Sequence, residues 1–162
     1  MTLENLFNLT IEELIQRIQN SEGLTNFAQK RAKFEGWFKV ELIDILNKAG
    51  FSAFPEINRI DVSFQNIGIE LKTLNTNVNY QNVMKLSKPI TDNVDGVIKD
   101  VEKILNTTFD HKFVMFIVFP ITHDNPNWQN HLNRISNNLE DYKHREFKFG
   151  LDIPGVIYLG KV

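Results

Sequence analysis

The stretch Asn58–Thr73, NRIDVSFQNIGIELKT, decides how this chain is read. From Arg59 to Phe64, Ile60, Val62 and Phe64 fall on one side and Asp61 and Ser63 on the other. That is the period-two pattern of a half-buried strand. The alternation resumes from Ile67 to Leu74, with Ile67, Ile69 and Leu71 on one side and Gly68, Glu70 and Lys72 on the other. Gln65-Asn66 between them is a two-residue turn, so the two strands are expected to pair as a hairpin. Pairing through that turn brings Asp61 near Glu70, and Lys72 projects from the same face as Glu70.

Two carboxylates and a lysine on an otherwise apolar strand pair need a physical reason. Like charges disfavour joint ionisation, and burial penalises each charge further. A divalent cation between Asp61 and Glu70 removes the conflict. Oxygen ligands without His or Cys favour Mg²⁺ over zinc. Beside such an ion, Lys72 can polarise an attacking water or stabilise charge on a phosphate.

Outward from this hairpin the chain reads as alternating helices and strands. Thr10 and Glu13 match a capping box, which predicts a first helix over about 10–20. A longer helix is predicted from near Thr25 to Ala49, ended by Gly50 as a C′ glycine. Phe51–Phe54 is a short apolar strand entry. Asn75–Pro89 is polar and lacks helical periodicity. A helix capped by Thr91 runs to about Asn106, with Val94, Val97, Ile98, Val101, Ile104 and Leu105 facing inward. Lys112–Pro120 is the continuous apolar run of a strand buried on both faces. Asn127–Arg145 is predicted as an amphipathic helix on Trp128, Leu132, Ile135, Leu139 and Tyr142, and Gly155–Leu159 as a last strand. The order implies an α/β fold, a small mixed sheet flanked by helices.

The chain has 162 residues, 42% of them hydrophobic, a net charge of −2 and no cysteine. That suits one domain with a real core and excludes a disulfide framework, a thiolate metal site and a Cys nucleophile. The acidic start is unlike a signal peptide, and the longest apolar run, Phe113–Phe119, is too short to span a bilayer. A cytoplasmic protein without a membrane partner is therefore expected. A globally basic coat is excluded, but a local basic face is not.

Asp61 followed by Glu70-Leu71-Lys72 resembles the PD-(D/E)XK nuclease superfamily. GIELKT is similar to the string in the mismatch-repair nicking endonucleases of the MutH kind and in small type II restriction endonucleases. The family's proline before the Asp is replaced by Ile60. The resemblance implies a restriction-endonuclease-like fold over residues 1–162: an N-terminal helical segment at about 1–24, a catalytic core over 25–120, and a C-terminal helix and strand over 121–162. It implies Mg²⁺-dependent hydrolysis of DNA phosphodiesters. Asp61, Glu70 and the Leu71 carbonyl would hold the metal, and Lys72 would orient the water. The family often adds an acid from the preceding helix. Glu35 is in register with the buried stripe Phe38, Leu42, Ile45, whereas Glu41 shares the wet side with Trp37, Asp44 and Lys48, so Glu35 is the expected residue and Glu41 the alternative. A small one-site chain cutting a palindrome in double-stranded DNA implies a two-fold homodimer, and a restriction role implies a cognate DNA methyltransferase encoded nearby. A repair, nicking, homing or junction-resolving nuclease, or a non-catalytic DNA-binding module, are the alternatives.

Leu71–Ile90 holds Lys72, Lys85 and Lys88 and no acid. Directly after the motif, this segment is expected to meet DNA. Lys85 and Lys88 would neutralise phosphates, and Asn75, Asn77, Asn79, Tyr80 and Asn82 would supply base contacts. Lys143, His144, Arg145 and Lys148 read as the C-terminus of a helix. The four histidines show no helical i, i+4 metal pair. Neither an HNH nor a GIY-YIG nuclease pattern is complete, and no phosphate-cradling glycine loop is present.

Overall fold

The computed structural model describes all residues, Met1–Val162. The hairpin forms as predicted. Strand β2 (Ile60–Phe64) and β3 (Ile67–Asn75) pair antiparallel through the two-residue turn, with Val62 opposite Ile69 and Phe64 opposite Ile67. Strand β1 (Ala53–Ile57) pairs antiparallel on the outer side of β2. From β3 the chain crosses through helix α4 (Thr91–Leu105) to β4 (His111–Phe119), which pairs parallel to β3. Such a parallel neighbour requires a crossover of this kind. After α5 (Pro126–Ser136) come β5 (Asp141–Lys148) and β6 (Pro154–Lys161). Together they make a six-stranded mixed sheet in the order β1-β2-β3-β4-β6-β5.

Helices cover both faces, making three layers. Strand β4 sits mid-sheet and shows why its sequence is apolar throughout. Phe113, Met115, Ile117 and Phe119 enter one core with α1 (Leu3–Gln19), α2 (Glu22–Lys30) and α3 (Glu35–Lys48). Val114, Phe116 and Val118 enter a second core with α4 and α5. No helix is long and apolar enough to cross a membrane.

Four sequence expectations are corrected. The first helix begins at Leu3 and is capped by Thr2, whose side chain accepts from Asn5 N–H. Thr10 is buried mid-helix and returns its hydroxyl to the Leu6 carbonyl, so its match to a capping box is coincidental. The long second helix is two helices, broken where Arg31 takes a left-handed conformation (φ 55°). Thr91 is the first residue of α4 rather than its cap, and Leu105 is exposed. The helix predicted over 127–145 stops at Ser136, and residues 141–148 form edge strand β5. Lys143 and Arg145 therefore close no helix. They reach across to Glu4 and Glu12 of α1.

Candidate active site

Asp61, Glu70, Lys72 and Glu35 come together where β2 parts from β3. The ladder ends at Val62 opposite Ile69. Beyond it, the β2 side of β3 has backbone donors without a strand partner, and carboxylates take them. Leu71 N–H donates to Asp61 Oδ2 at 2.9 Å. Thr73 N–H donates to Glu35 Oε1 at 3.0 Å. Within a strand, the N–H and C=O of one residue face the same neighbour, so the Leu71 carbonyl opens on the same gap. Glu35 can reach it because α3 starts beside β3, where Phe34 N–H donates to Thr73 Oγ1 at 3.3 Å. Glu41 lies elsewhere, bound to Arg17 at 2.5 Å against α1.

Three partners come from helices and were not foreseen. Lys39 of α3 sits 2.8 Å from Asp61 Oδ1 and also binds Glu56. Asp100 of α4 holds Lys72 at 2.9 Å. Lys103, one turn further along α4, approaches Glu70 Oε1 to 2.7 Å. Glu70 Oε1 and Asp100 Oδ2 are buried without a hydrogen-bond partner. Each of these oxygens instead faces one ammonium within salt-bridge distance.

The electrostatics follow from this packing. Burial pushes the Glu70 carboxyl up to about 7; Lys103 opposes the shift and the charge of Asp61 adds to it. Burial acts on Asp61 too, but hydrogen bonds from Lys39 and the Leu71 N–H outweigh it, so Asp61 is lowered and ionised. Asp61 and Glu70 interact directly and titrate as a pair. Burial works against the Lys72 charge, yet Asp100 more than compensates and its pKa rises. Lys72 is thus a fixed cation and a hydrogen-bond donor, not a base. Asp100 is raised by burial despite Lys72.

The expected DNA-facing segment is divided by the structure. Asn75 is buried. Its Nδ2 donates to the Arg31 carbonyl at 2.6 Å, and it is corrected from a base reader to a structural tie. Asn77, Asn79, Asn82, Lys85 and Lys88 are exposed, and Tyr80 donates its hydroxyl to the Asp152 carbonyl at 3.2 Å. The segment is fastened by Arg31, another residue the sequence did not single out. Its guanidinium donates to the carbonyls of Met84, Thr76 and Val78.

A second polar group occupies the same face of the sheet at its far side. Lys72, Phe116, Tyr158 and His144 are consecutive cross-strand neighbours over β3, β4, β6 and β5. Buried Tyr158 accepts from Trp128 Nε1 at 2.7 Å and lies 2.9 Å from His123 Nδ1. The rings of His123 and His144 stack with centroids 3.6 Å apart. A cleft of about 560 Å³ opens there, lined by Thr122, His123, Asp124, His144, Arg145 and Glu146. Neither there nor elsewhere do three or more His, Cys, Asp or Glu side chains gather as a ready metal cage. No known protein family, curated protein or solved structure matches the chain.

Proposed function

We propose that the chain is a Mg²⁺-dependent endodeoxyribonuclease of the restriction-endonuclease-like PD-(D/E)XK kind, working as a homodimeric type II restriction enzyme on a short duplex site. One observation carries the reading. At the parting of β2 and β3, Asp61, Glu35 and the Leu71 backbone meet, with Glu70 and Lys72 projecting beside them. Two carboxylates and one carbonyl fit a hard divalent cation that retains several waters, as Mg²⁺ does, and need no cage of three side chains. Glu70 Oε1, buried and 2.7 Å from Lys103, is the oxygen that such an ion would take over from the ammonium. When bound, Mg²⁺ supplies positive charge against the charge growing on the reacting phosphate.

The chain's own residues do the rest. Asp61 and Glu70 hold the ion with the Leu71 carbonyl. Lys72, fixed as a cation by Asp100, donates to the attacking water or a phosphate oxygen and orients it. Glu35 holds the β3 backbone at Thr73 and keeps its charge near Lys72. Hydrolysis adds water across the phosphodiester, leaving a 5′-phosphate and a 3′-hydroxyl.

A second reading has an observation of its own. Asp61, Glu70 and Asp100 each already face a lysine, so the group also suits a charge-balanced, non-catalytic DNA-binding module. Supercoiled plasmid separates the two. Nicking or linearisation in Mg²⁺ that stops with EDTA is the expected result. Intact plasmid at high enzyme and Mg²⁺, with duplex binding retained, would favour the module.

A further inference from the structure

The walls of one cleft carry an excess of positive charge that no part of the chain neutralises. The cleft, about 370 Å³, lies between the end of α2, the Met84–Pro89 stretch and the start of α4. Lys30, Arg31, Lys33, Lys85 and Lys88 line it, against the single acid Asp92. Arg31 is spent on three backbone carbonyls and ties the two walls together. The four lysines are exposed, and none of them forms an ion pair. Most other lysines are paired: Lys39, Lys48, Lys72, Lys103, Lys143, Lys148 and Lys161 each meet an acid. Only Lys99 and Lys112 share the unpaired state outside the cleft. In a chain of net charge −2, gathering four unpaired lysines into one concavity works against self-repulsion unless an anion enters.

We infer that this cleft seats the phosphate backbone of the DNA strand that runs to the proposed active site, with Lys30 and Lys33 on one wall and Lys85 and Lys88 on the other. This rests on the nuclease reading. Its placement follows from the chain. Asn75 lines the cleft and lies three residues beyond Lys72 on β3. At about 3.3 Å per residue that is roughly 10 Å, the rise of about three base-pair steps along a duplex axis. Lys33 lies two residues before Glu35. Phosphates in the cleft would thus fix which bond reaches Lys72, and would do so without reading sequence.

The test is duplex binding followed by anisotropy in Ca²⁺ over a salt series from about 50 to 200 mM, with cleavage in Mg²⁺ measured in parallel. Lys30→Ala/Lys33→Ala and Lys85→Ala/Lys88→Ala should each flatten the slope of log affinity against log salt by about 2, and the quadruple variant by about 3 to 4. The loss should be equal for all sequences. Lys112→Ala, at the opposite end of β3–β4 from Asn75, should leave the slope unchanged. Charge reversal, Lys30→Glu/Lys33→Glu, should deepen the loss. Cleavage by wild type with unchanged slopes in all four-lysine variants would overturn the cleft and keep the nuclease. Flattened slopes with no cleavage by wild type would keep the cleft and overturn the nuclease. No duplex binding by wild type would overturn the cleft.

Discussion

The parting of β2 and β3 and the histidine corner of β5 and β6 stand on one face of the same sheet, and they solve the burial of polar groups in opposite ways. At the corner the buried hydroxyl of Tyr158 accepts from Trp128 Nε1 at 2.7 Å and lies 2.9 Å from His123 Nδ1. At the parting the groups are charged, and each carboxylate of Asp61, Glu70 and Asp100 faces a lysine from α3, α4 or β3. Buried charges remain costly even when paired, more so than a hydroxyl held by hydrogen bonds. On the proposed nuclease reading, the parting is where a cation would bind and the corner is scaffold.

The largest expected effect separates the two regions by rate. Lys72→Ala should lower kcat by about 10²–10³-fold or more while duplex binding stays near wild type, because it removes a donor aimed at the reacting group. It also leaves the buried Asp100 carboxylate without its ammonium, so the melting transition should fall. Equal rate losses in Lys72→Ala and Tyr158→Phe would erase the contrast.

Next comes the pH dependence. A carboxyl raised from 4.5 to about 7 binds more protons folded than unfolded, so folding loses stability as pH rises from about 4.5 through 7. The shift bounds that loss at about 3 kcal/mol. Urea unfolding in EDTA at pH 5 and pH 8 should show the decline in wild type and much less of it in Glu70→Gln, which should be the more stable protein at pH 8. Asp61→Asn should go the other way. Asp61 has a lowered pKa and accepts the Leu71 N–H, so its charge stabilises the fold above the ordinary Asp range and that stability is lost as pH falls through the folded pKa. Identical pH profiles for Glu70→Gln and wild type would show that burial does not strain Glu70.

Tyr158→Phe should cost about 1–3 kcal/mol in unfolding free energy, because Trp128 Nε1 is left buried without an acceptor, and should leave cleavage intact. A cleavage defect there would make the corner part of the machinery. The smallest effect concerns Gly96. An alanine methyl would come 3.2 Å from Lys72 Cε, tight enough to shift that side chain by a few tenths of an ångström. Helix propensity favours the alanine by up to about 1 kcal/mol. Gly96→Ala should therefore hold or gain stability while cleavage falls several-fold. An unchanged rate would mean that Lys72 tolerates displacement.

The two regions also differ in how far the sequence revealed them. The β2–β3 hairpin was legible because its alternation and two-residue turn are local, and β4 because both its faces are buried. Asp61, Glu70 and Lys72 are strand neighbours, so their meeting followed from register alone. Lys39, Asp100 and Lys103 were hidden because tertiary packing of α3 and α4 delivers them. Strand β5 was misread because Leu139 and Tyr142 continue the spacing of Trp128, Leu132 and Ile135. As an edge strand it buries only Phe147 and so carries little alternation. His144 thereby moved from a helix end to the stack with His123. The break at Arg31 had no glycine or proline to announce it, and the three carbonyls that Arg31 binds lie 45 to 53 residues away.

The most direct test of the central claim, that the buried pair Asp61–Glu70 is built for a divalent cation, is calorimetric titration of Mg²⁺ near pH 7 in two buffers of different ionisation enthalpy. With burial raising Glu70 to about 7, ion binding should release protons near neutral pH, and the release should shrink near pH 9 and in Glu70→Gln. Mg²⁺ binding that releases no proton and is unchanged in Asp61→Asn and Glu70→Gln, or no binding at millimolar Mg²⁺, would contradict it.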